Sequence, residues 1–151
     1  MALRGINHAR LHVAATCVGQ SIRLIKEMTK SCQIIEAGIS YNTSTSDSPI
    51  IMEANDRAIN SGMNMNKTFK LIKEVTSEIF VPITLGGGIR SLKDIEDSLK
   101  SGADKVAINS KALEDPDFLK SATRNFGEST IIVNIEAKKL NYEKWEPYKF
   151  C

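Results

Sequence analysis

The sequence contains no apolar stretch that approaches the roughly 18 residues of a membrane span. Its formal net charge at pH 7 is only +2, so the charge balance does not favour nucleic acid or an anionic membrane surface as a partner. Residues 1–10 carry basic side chains, but no apolar segment follows them, and we therefore expect no secretory signal. These absences are typical of a water-soluble protein that stays inside the cell.

Cysteine is also scarce. The three cysteines, Cys17, Cys32 and Cys151, are an odd number and lack the spacing of a metal site. They indicate reduced thiols and hence a cytoplasmic location. Met63 and Met65 suit packing at a loop and at a helix start, so we expect neither a metal nor a cofactor.

The rest of the composition is that of a globular protein, with 42% hydrophobic and 25% charged residues. A chain of 151 residues has the length of one domain, residues 1–151. Short β-branched runs alternate with longer amphipathic segments, which predicts a parallel sheet with crossover helices. The predicted strands are Leu11–Cys17, Gln33–Ile39, Val81–Leu85, Lys105–Asn109 and Thr130–Glu136, and one of the predicted helices is Pro49–Asn60.

Two helices carry clear boundary signals. Ser91 is placed to cap a helix, with Asp94 at the capping-box position. Asp115 followed by Pro116 is typical of a second helix start, and Gly127 of its end.

The faces of the later strands differ in character. Val106 and Ile108 alternate with Ala107 and Asn109, so one face is branched and apolar while the other becomes small and polar toward the carboxyl end. A barrel gathers such polar strand ends into one site, which favours a (βα)8 (TIM) barrel over an open sheet. A full barrel typically needs about 250 residues. About five strands therefore leave three forms open: a partial barrel, an open flavodoxin-like sheet, or a half-barrel completed by a second copy.

The strongest site signal is a pair of loops. The strand that ends at Leu85 runs into Gly86–Arg90, and the next strand ends at Asn109 and Ser110. Glycine backbone N–H groups can approach an anion closely, and the Asn and Ser side chains add donors. The pattern therefore indicates a phosphate site, with a tight glycine turn as the structural alternative.

Three segments resemble, in order and with matching spacing, the cyclase subunit of imidazole glycerol phosphate synthase: residues 81–91 (VPITLGGGIRS), 101–110 (SGADKVAINS) and 134–139 (NIEAKK). The resemblance implies a (βα)8 barrel that takes ammonia from a glutaminase partner and closes an imidazole ring on a phosphorylated ribulosyl substrate in histidine biosynthesis. It assigns Gly88, Asn109 and Ser110 to a substrate phosphate, and we include Gly87 in the predicted phosphate site as part of the same glycine loop. It assigns Glu136 to the fifth-strand carboxylate, where that family has Asp.

The front of the chain resembles a different phosphate barrel, the alpha subunit of tryptophan synthase, which is a lyase. The similarity lies in residues 34–39 (IIEAGI), Tyr41, 47–51 (DSPII), Ala54-Asn55, Arg57-Ala58 and Gly62. It implies that Glu36 is a general acid or base, but Thr43 stands where that family has a second aspartate. We therefore divide the domain into a tryptophan-synthase-alpha-like segment, 1–76, and a cyclase-like segment, 77–151. Such a chain would be a natural or engineered chimera.

The catalytic set is incomplete for either reaction. The cyclase chemistry needs carboxylates from the first and fifth strands, and residues 11–17 contain no acid, with His12 a weak substitute. We expect Glu36 and Glu136 to lie at strand carboxyl ends and to face one barrel mouth. Three functions stay open: a cyclase-like enzyme that is weak or inactive alone, a tryptophan-synthase-alpha-like lyase, and a non-catalytic phosphate-binding half-barrel.

Overall fold

The computed structural model describes residues 9–11, 23, 25–27, 29–30, 33–40 and 49–147. Five strands form one parallel sheet and two more form an antiparallel hairpin. The strands are β1 (Ala9–Leu11), β2 (Ile35–Gly38), β3 (Ile83–Gly86), β4 (Lys105–Ile108), β5 (Ile131–Val133), β6 (Ala137–Lys139) and β7 (Trp145–Pro147). The named helices are α1 (Pro49–Asn60), α2 (Met65–Thr76), α3 (Leu92–Lys100), α4 (Ser110–Glu114) and α5 (Pro116–Phe126).

The strand order across the parallel sheet is β1-β2-β3-β4-β5. Each strand therefore pairs with the next strand along the chain, as in a (βα)8 barrel, whereas a flavodoxin-like sheet has the order 2-1-3-4-5. The predicted partial barrel with about five parallel strands is confirmed. Within the described ranges the sheet does not close on itself.

The hydrophobic core lies between one face of the sheet and the helices. It joins strand residues to helix residues in one cluster: Ile35, Ile83, Leu85, Val106 and Ile108 with Leu71, Ile72, Val75, Ile95, Phe118 and Ala122. The opposite face carries smaller or polar side chains at the alternate positions, among them Thr84 and Ala107. Alternation in the sequence thus identified correctly which face the helices cover.

The predicted helix boundaries are confirmed where the sequence carried capping signals. Ser91 and Asp94 form a complete capping box at α3. Asp115 caps α5 and accepts the Phe118 N–H, with Pro116 in the first turn. Gly127 ends α5 at φ +89°. None of the helices in the described ranges is long and apolar enough to span a membrane.

Three parts of the structure differ from the prediction. β5 stops at Val133 instead of Glu136, because residues 134–136 are irregular and the chain then turns into the β6–β7 hairpin. The short helix α4 directly after β4 was not predicted. The first strand is described at 9–11, and the remainder of the predicted strand, with His12, lies outside the described residues. The predictions for the cysteines and for Thr43 also fall outside them.

Candidate phosphate and carboxylate site

The glycine loop begins where β3 ends. Gly87 and Gly88 have φ values of +100° and +70°, a region that glycine occupies without strain. Gly86 accepts a 2.7 Å hydrogen bond from the N–H of Ile39, the residue after β2. A Cβ on Gly87 would lie 2.8 Å from the carbonyl oxygen of Ile39. Gly87 is therefore required by backbone conformation and by packing against the chain that leaves β2.

The second loop lies beside the first because β3 and β4 are neighbours in register. Gly86 pairs with Ala107, and Asn109 follows two residues later as the N-cap of α4. The Asn109 side chain makes no capping bond, and its Oδ1 is buried without a hydrogen-bond partner among the described residues. A buried amide end is costly to leave unpaired. Because the two ends of an amide can exchange by rotation, either a donor or an acceptor can be presented there.

Asp94 restricts which backbone groups can bind an anion. Its Oδ2 accepts the N–H of Arg90 at 2.9 Å and the N–H of Ser91 at 2.8 Å. These two donors at the start of α3 are thus already used, and a carboxylate stands beside them. The other candidate donors for an anion at this edge are the glycine N–H groups before Arg90 and the side chains of Asn109 and Ser110.

Glu36 lies inside β2 and not at its end. It is the second residue of a strand that ends at Gly38, and it is half-buried. In register it stands beside Arg10 of β1 and Thr84 of β3, and Thr84 stands beside Lys105 of β4. Alternation places Glu36 on the face opposite the helices. The expectation that Glu36 occupies the strand terminus is therefore corrected to a position one layer deeper in the sheet.

Glu136 lies beyond the carboxyl end of β5. It is half-buried in the segment 134–136, where the Asn134 N–H donates to the carbonyl of Ile108 at 2.9 Å. Val133 is in register with Ile108, the last residue of β4. Glu136, which follows Val133, and Asn109, which follows Ile108, therefore lie beyond the same edge of the sheet. The structure thus places Gly87 and Gly88 in the loop after β3, Asn109 and Ser110 directly after β4, and Glu136 after β5. Glu36, by contrast, is level with the first residue of β4.

Sequence reasoning missed one buried polar pair near this edge. Ser40 donates through Oγ to Oδ1 of Asn55 in α1 at 2.9 Å, and the two residues are 5% and 4% exposed. Ser40 also lines a cleft of about 320 Å³ between α1 and the start of α2, with Ile59, Met63, Asn64, Met65 and Asn66. The available signal was Asn55 itself, because Asn is unfavourable inside a helix unless its side chain is used.

No group of three or more His, Cys, Asp or Glu side chains suited to a metal ion occurs in the part of the chain that the structure describes. The site is built from backbone N–H groups, an amide, a hydroxyl and carboxylates. Such a donor set suits a phosphate and proton transfer.

Residues 57–148, more than half of the chain, match the family model described as "Histidine biosynthesis protein". The chain belongs to this family. The matched range includes the glycine loop, Asn109, Ser110 and Glu136, and it begins after Glu36. A relative, the imidazole glycerol phosphate synthase subunit HisF of Dictyoglomus thermophilum, is 45% identical over 78 residues. That alignment covers 52% of this chain and 31% of the relative.

Solved structures similar to this histidine biosynthesis protein include tryptophan synthase alpha subunits. The subunit from Legionella pneumophila strain Paris matches with a TM-score of 0.63 and 16% identity, over 82% of this chain and 49% of that one. A structure of the tryptophan synthase complex of Pyrococcus furiosus matches with a TM-score of 0.67 and 19% identity, over 82% of this chain and 51% of that one. These likenesses show the barrel fold, and the mixed resemblance predicted from the sequence is confirmed. The chain spans about half the length of the solved chains and about a third of the curated relative.

Proposed function

We propose that this member of the histidine biosynthesis family binds a phosphorylated ribulosyl compound and takes part in ammonia-dependent closure of an imidazole ring. The loops after β3 and β4 would hold one substrate phosphate. Glu136 would transfer a proton during ring closure from the end of β5. The activity of this chain alone is expected to be low, because the cyclase reaction needs a second carboxylate on the first strand.

The observation that carries the proposal is the side-by-side position of the two loops. Gly86 and Ala107 are paired in register, so the glycine loop and Asn109 lie side by side at one edge of the sheet. The unpaired, buried amide end of Asn109 supports a ligand at this place. The carboxylate of Asp94, the third residue of α3, would direct the anion away from the α3 terminus and toward Asn109.

The test is a titration with inorganic phosphate and with a bisphosphorylated ribulosyl ligand, followed by fluorescence of Trp145. We expect saturable binding in the wild type and its loss in Gly88→Asp, which adds a negative charge inside the loop. Gly127→Asp is the matched control, because Gly127 also has positive φ but lies at the end of α5. No binding by fluorescence and by thermal shift, or equal loss in both variants, would contradict the phosphate site.

The position of Glu36 supports a second candidate function, a lyase of the tryptophan-synthase-alpha type. Its side chain is half-buried on the sheet face away from the helices, where a carboxylate can act on a substrate in the barrel. Growth rescue separates the two reactions. Rescue of a strain that lacks the cyclase, abolished by Glu136→Gln, supports the first proposal, and rescue of a strain that lacks the alpha subunit, abolished by Glu36→Gln, supports the second. Rescue of neither favours a phosphate-binding half-barrel without catalysis.

Two partners are proposed, both in the cytoplasm. The resemblance suggests a glutaminase that supplies ammonia, and the small number of strands suggests a second copy that completes the barrel. The open side of β5 supports the second copy: among the described strands β5 pairs only with β4, and Val133 and Ile135 are 42% and 61% exposed. Sedimentation velocity at increasing concentration tests self-association, and copurification with a glutaminase tests the first partner.

A further inference from the structure

The chain that leaves β2 is held by a buried polar contact. Ser40 and Asn55 are almost completely excluded from solvent, and the Ser40 hydroxyl donates to the side-chain amide oxygen (Oδ1) of Asn55 at 2.9 Å. A buried hydrogen bond of this kind is costly to break, because each partner would then be left unpaired. The contact therefore fastens the segment after β2 to α1.

The peptide group between Ile39 and Ser40 lies against the glycine loop. The Ile39 carbonyl oxygen is the atom that a Cβ on Gly87 would meet at 2.8 Å. On the other side of the same residue, the Ile39 N–H donates to Gly86 at 2.7 Å. The peptide groups before and after Ile39 thus both contact the loop. The position of the Ile39–Ser40 peptide depends on Ser40.

We infer that Ser40 and Asn55 are positioning residues for the phosphate loop. Their hydrogen bond holds the Ile39–Ser40 peptide against Gly87 and so keeps the glycine N–H groups in the orientation that binds an anion. The pair acts through Ile39 and does not touch the ligand. The expected effect on phosphate affinity rests on the proposed phosphate site. The expected effect on the geometry of the glycine loop does not depend on that site.

The first test compares phosphate affinity in Ser40→Ala with the wild type. We expect the dissociation constant for inorganic phosphate to rise about fivefold, which corresponds to about 1 kcal/mol. Ser101→Ala is the matched control, because Ser101 is also 5% exposed and its Oγ donates to the Ser98 carbonyl at 2.6 Å. Ser101 lies at the opposite end of α3 from the glycine loop, so its variant should keep the wild-type dissociation constant. Ser40→Thr retains the hydroxyl and should restore binding.

The second test needs no ligand. Hydrogen exchange of the Ile39 amide, measured by NMR relative to the core amide of Val106, should accelerate about fivefold in Ser40→Ala and in Asn55→Ala. It should stay unchanged in Ser101→Ala. Asn55→Ala removes the same contact from the other side and serves if Ser40→Ala does not fold.

The outcomes separate this inference from the proposed function. A wild type that does not bind phosphate refutes the proposed site, and the exchange of Ile39 then decides the inference about loop geometry. A wild type that binds, with the same affinity in Ser40→Ala, overturns the inference while the phosphate site stands. Equal effects in Ser40→Ala and Ser101→Ala also overturn it, because they would reflect general loss of stability.

Discussion

The centre of the sheet and its last strand contain similar apolar, β-branched sequences but differ sharply in burial. Ile83 and Ile108 in β3 and β4 are 1% and 0% exposed, whereas Val133 in β5, which is in register with Ile108, is 42% exposed. β3 and β4 each have a strand on both sides and helices over one face, while β5 has only β4 beside it among the described strands. Sequence pattern therefore indicates that a segment is a strand, and the neighbours decide how far it is buried.

The same difference separates a rigid part of the candidate site from an exposed one. The glycine loop is fixed by Ile39, and the start of α3 by the Ser91–Asp94 capping box. The β6–β7 hairpin after Glu136 is exposed, and within it Lys139 Nζ lies 4.9 Å from the Tyr142 ring centre and 5.6 Å from that of Trp145. A phosphate contact can thus be preorganised after β3 and β4, while Glu136 lies next to a segment that lacks such support.

The largest expected effect tests this contrast in burial. Ile83→Ala should lower the free energy of unfolding by about 3–4 kcal/mol, because it removes a fully buried side chain and leaves a cavity. Ile135→Ala, at a side chain that is 61% exposed, should cost less than about 1 kcal/mol. Urea denaturation of both variants measures the difference. Similar losses in the two variants would mean that the segment after β5 that contains Ile135 is covered in solution, as a second copy would cover it.

A somewhat smaller effect is expected at the glycines. Gly87→Ala should lower the free energy of unfolding by about 2–3 kcal/mol, because φ is +100° and the new Cβ would overlap the Ile39 carbonyl. Gly127→Ala, between α5 and β5, should cost about 1–2 kcal/mol from backbone strain alone, since its φ is also positive but the nearest atom to its Cβ would be 3.9 Å away. Denaturation curves for the pair give the comparison. If Gly87→Ala costs no more than Gly127→Ala, the close packing of the loop on Ile39 is refuted.

The features that were predicted correctly from the sequence are those determined by interactions between residues close together in the chain. The Ser91–Asp94 and Asp115–Pro116 signals act within one helical turn, and the structure confirmed both helix starts. The strand faces were also predicted, because alternation is local. The position of Glu36 inside β2, away from the carboxyl end, was not predicted, because it depends on the register of β2 with β3. The end of β5 was missed for a similar reason: its apolar pattern continues to Ile135, but the pairing that would extend the strand is absent beyond Asn134 in the described chain.

The smallest expected effect concerns Asp115. This residue lies at the start of α5, in the connection between the buried strand β4 and the exposed strand β5. The Lys111 ammonium, hydrogen bonded to this carboxylate at 3.0 Å, lowers the pKa of Asp115, and the Phe118 N–H lowers it further. Because the pKa is lower in the folded state, the carboxylate stabilises the fold above its unfolded pKa of about 3.9, and this contribution is lost as the pH falls through the folded pKa. The difference in melting temperature between wild type and Asp115→Asn should therefore be largest near neutral pH and should shrink below about pH 4. Asp117→Asn is the control, since the ion pair of Asp117 with Lys120 is mostly exposed on both sides. A pH-independent difference for Asp115→Asn would show that ionisation of the Asp115 carboxylate does not contribute to stability, and would contradict a stabilising charged pair with Lys111.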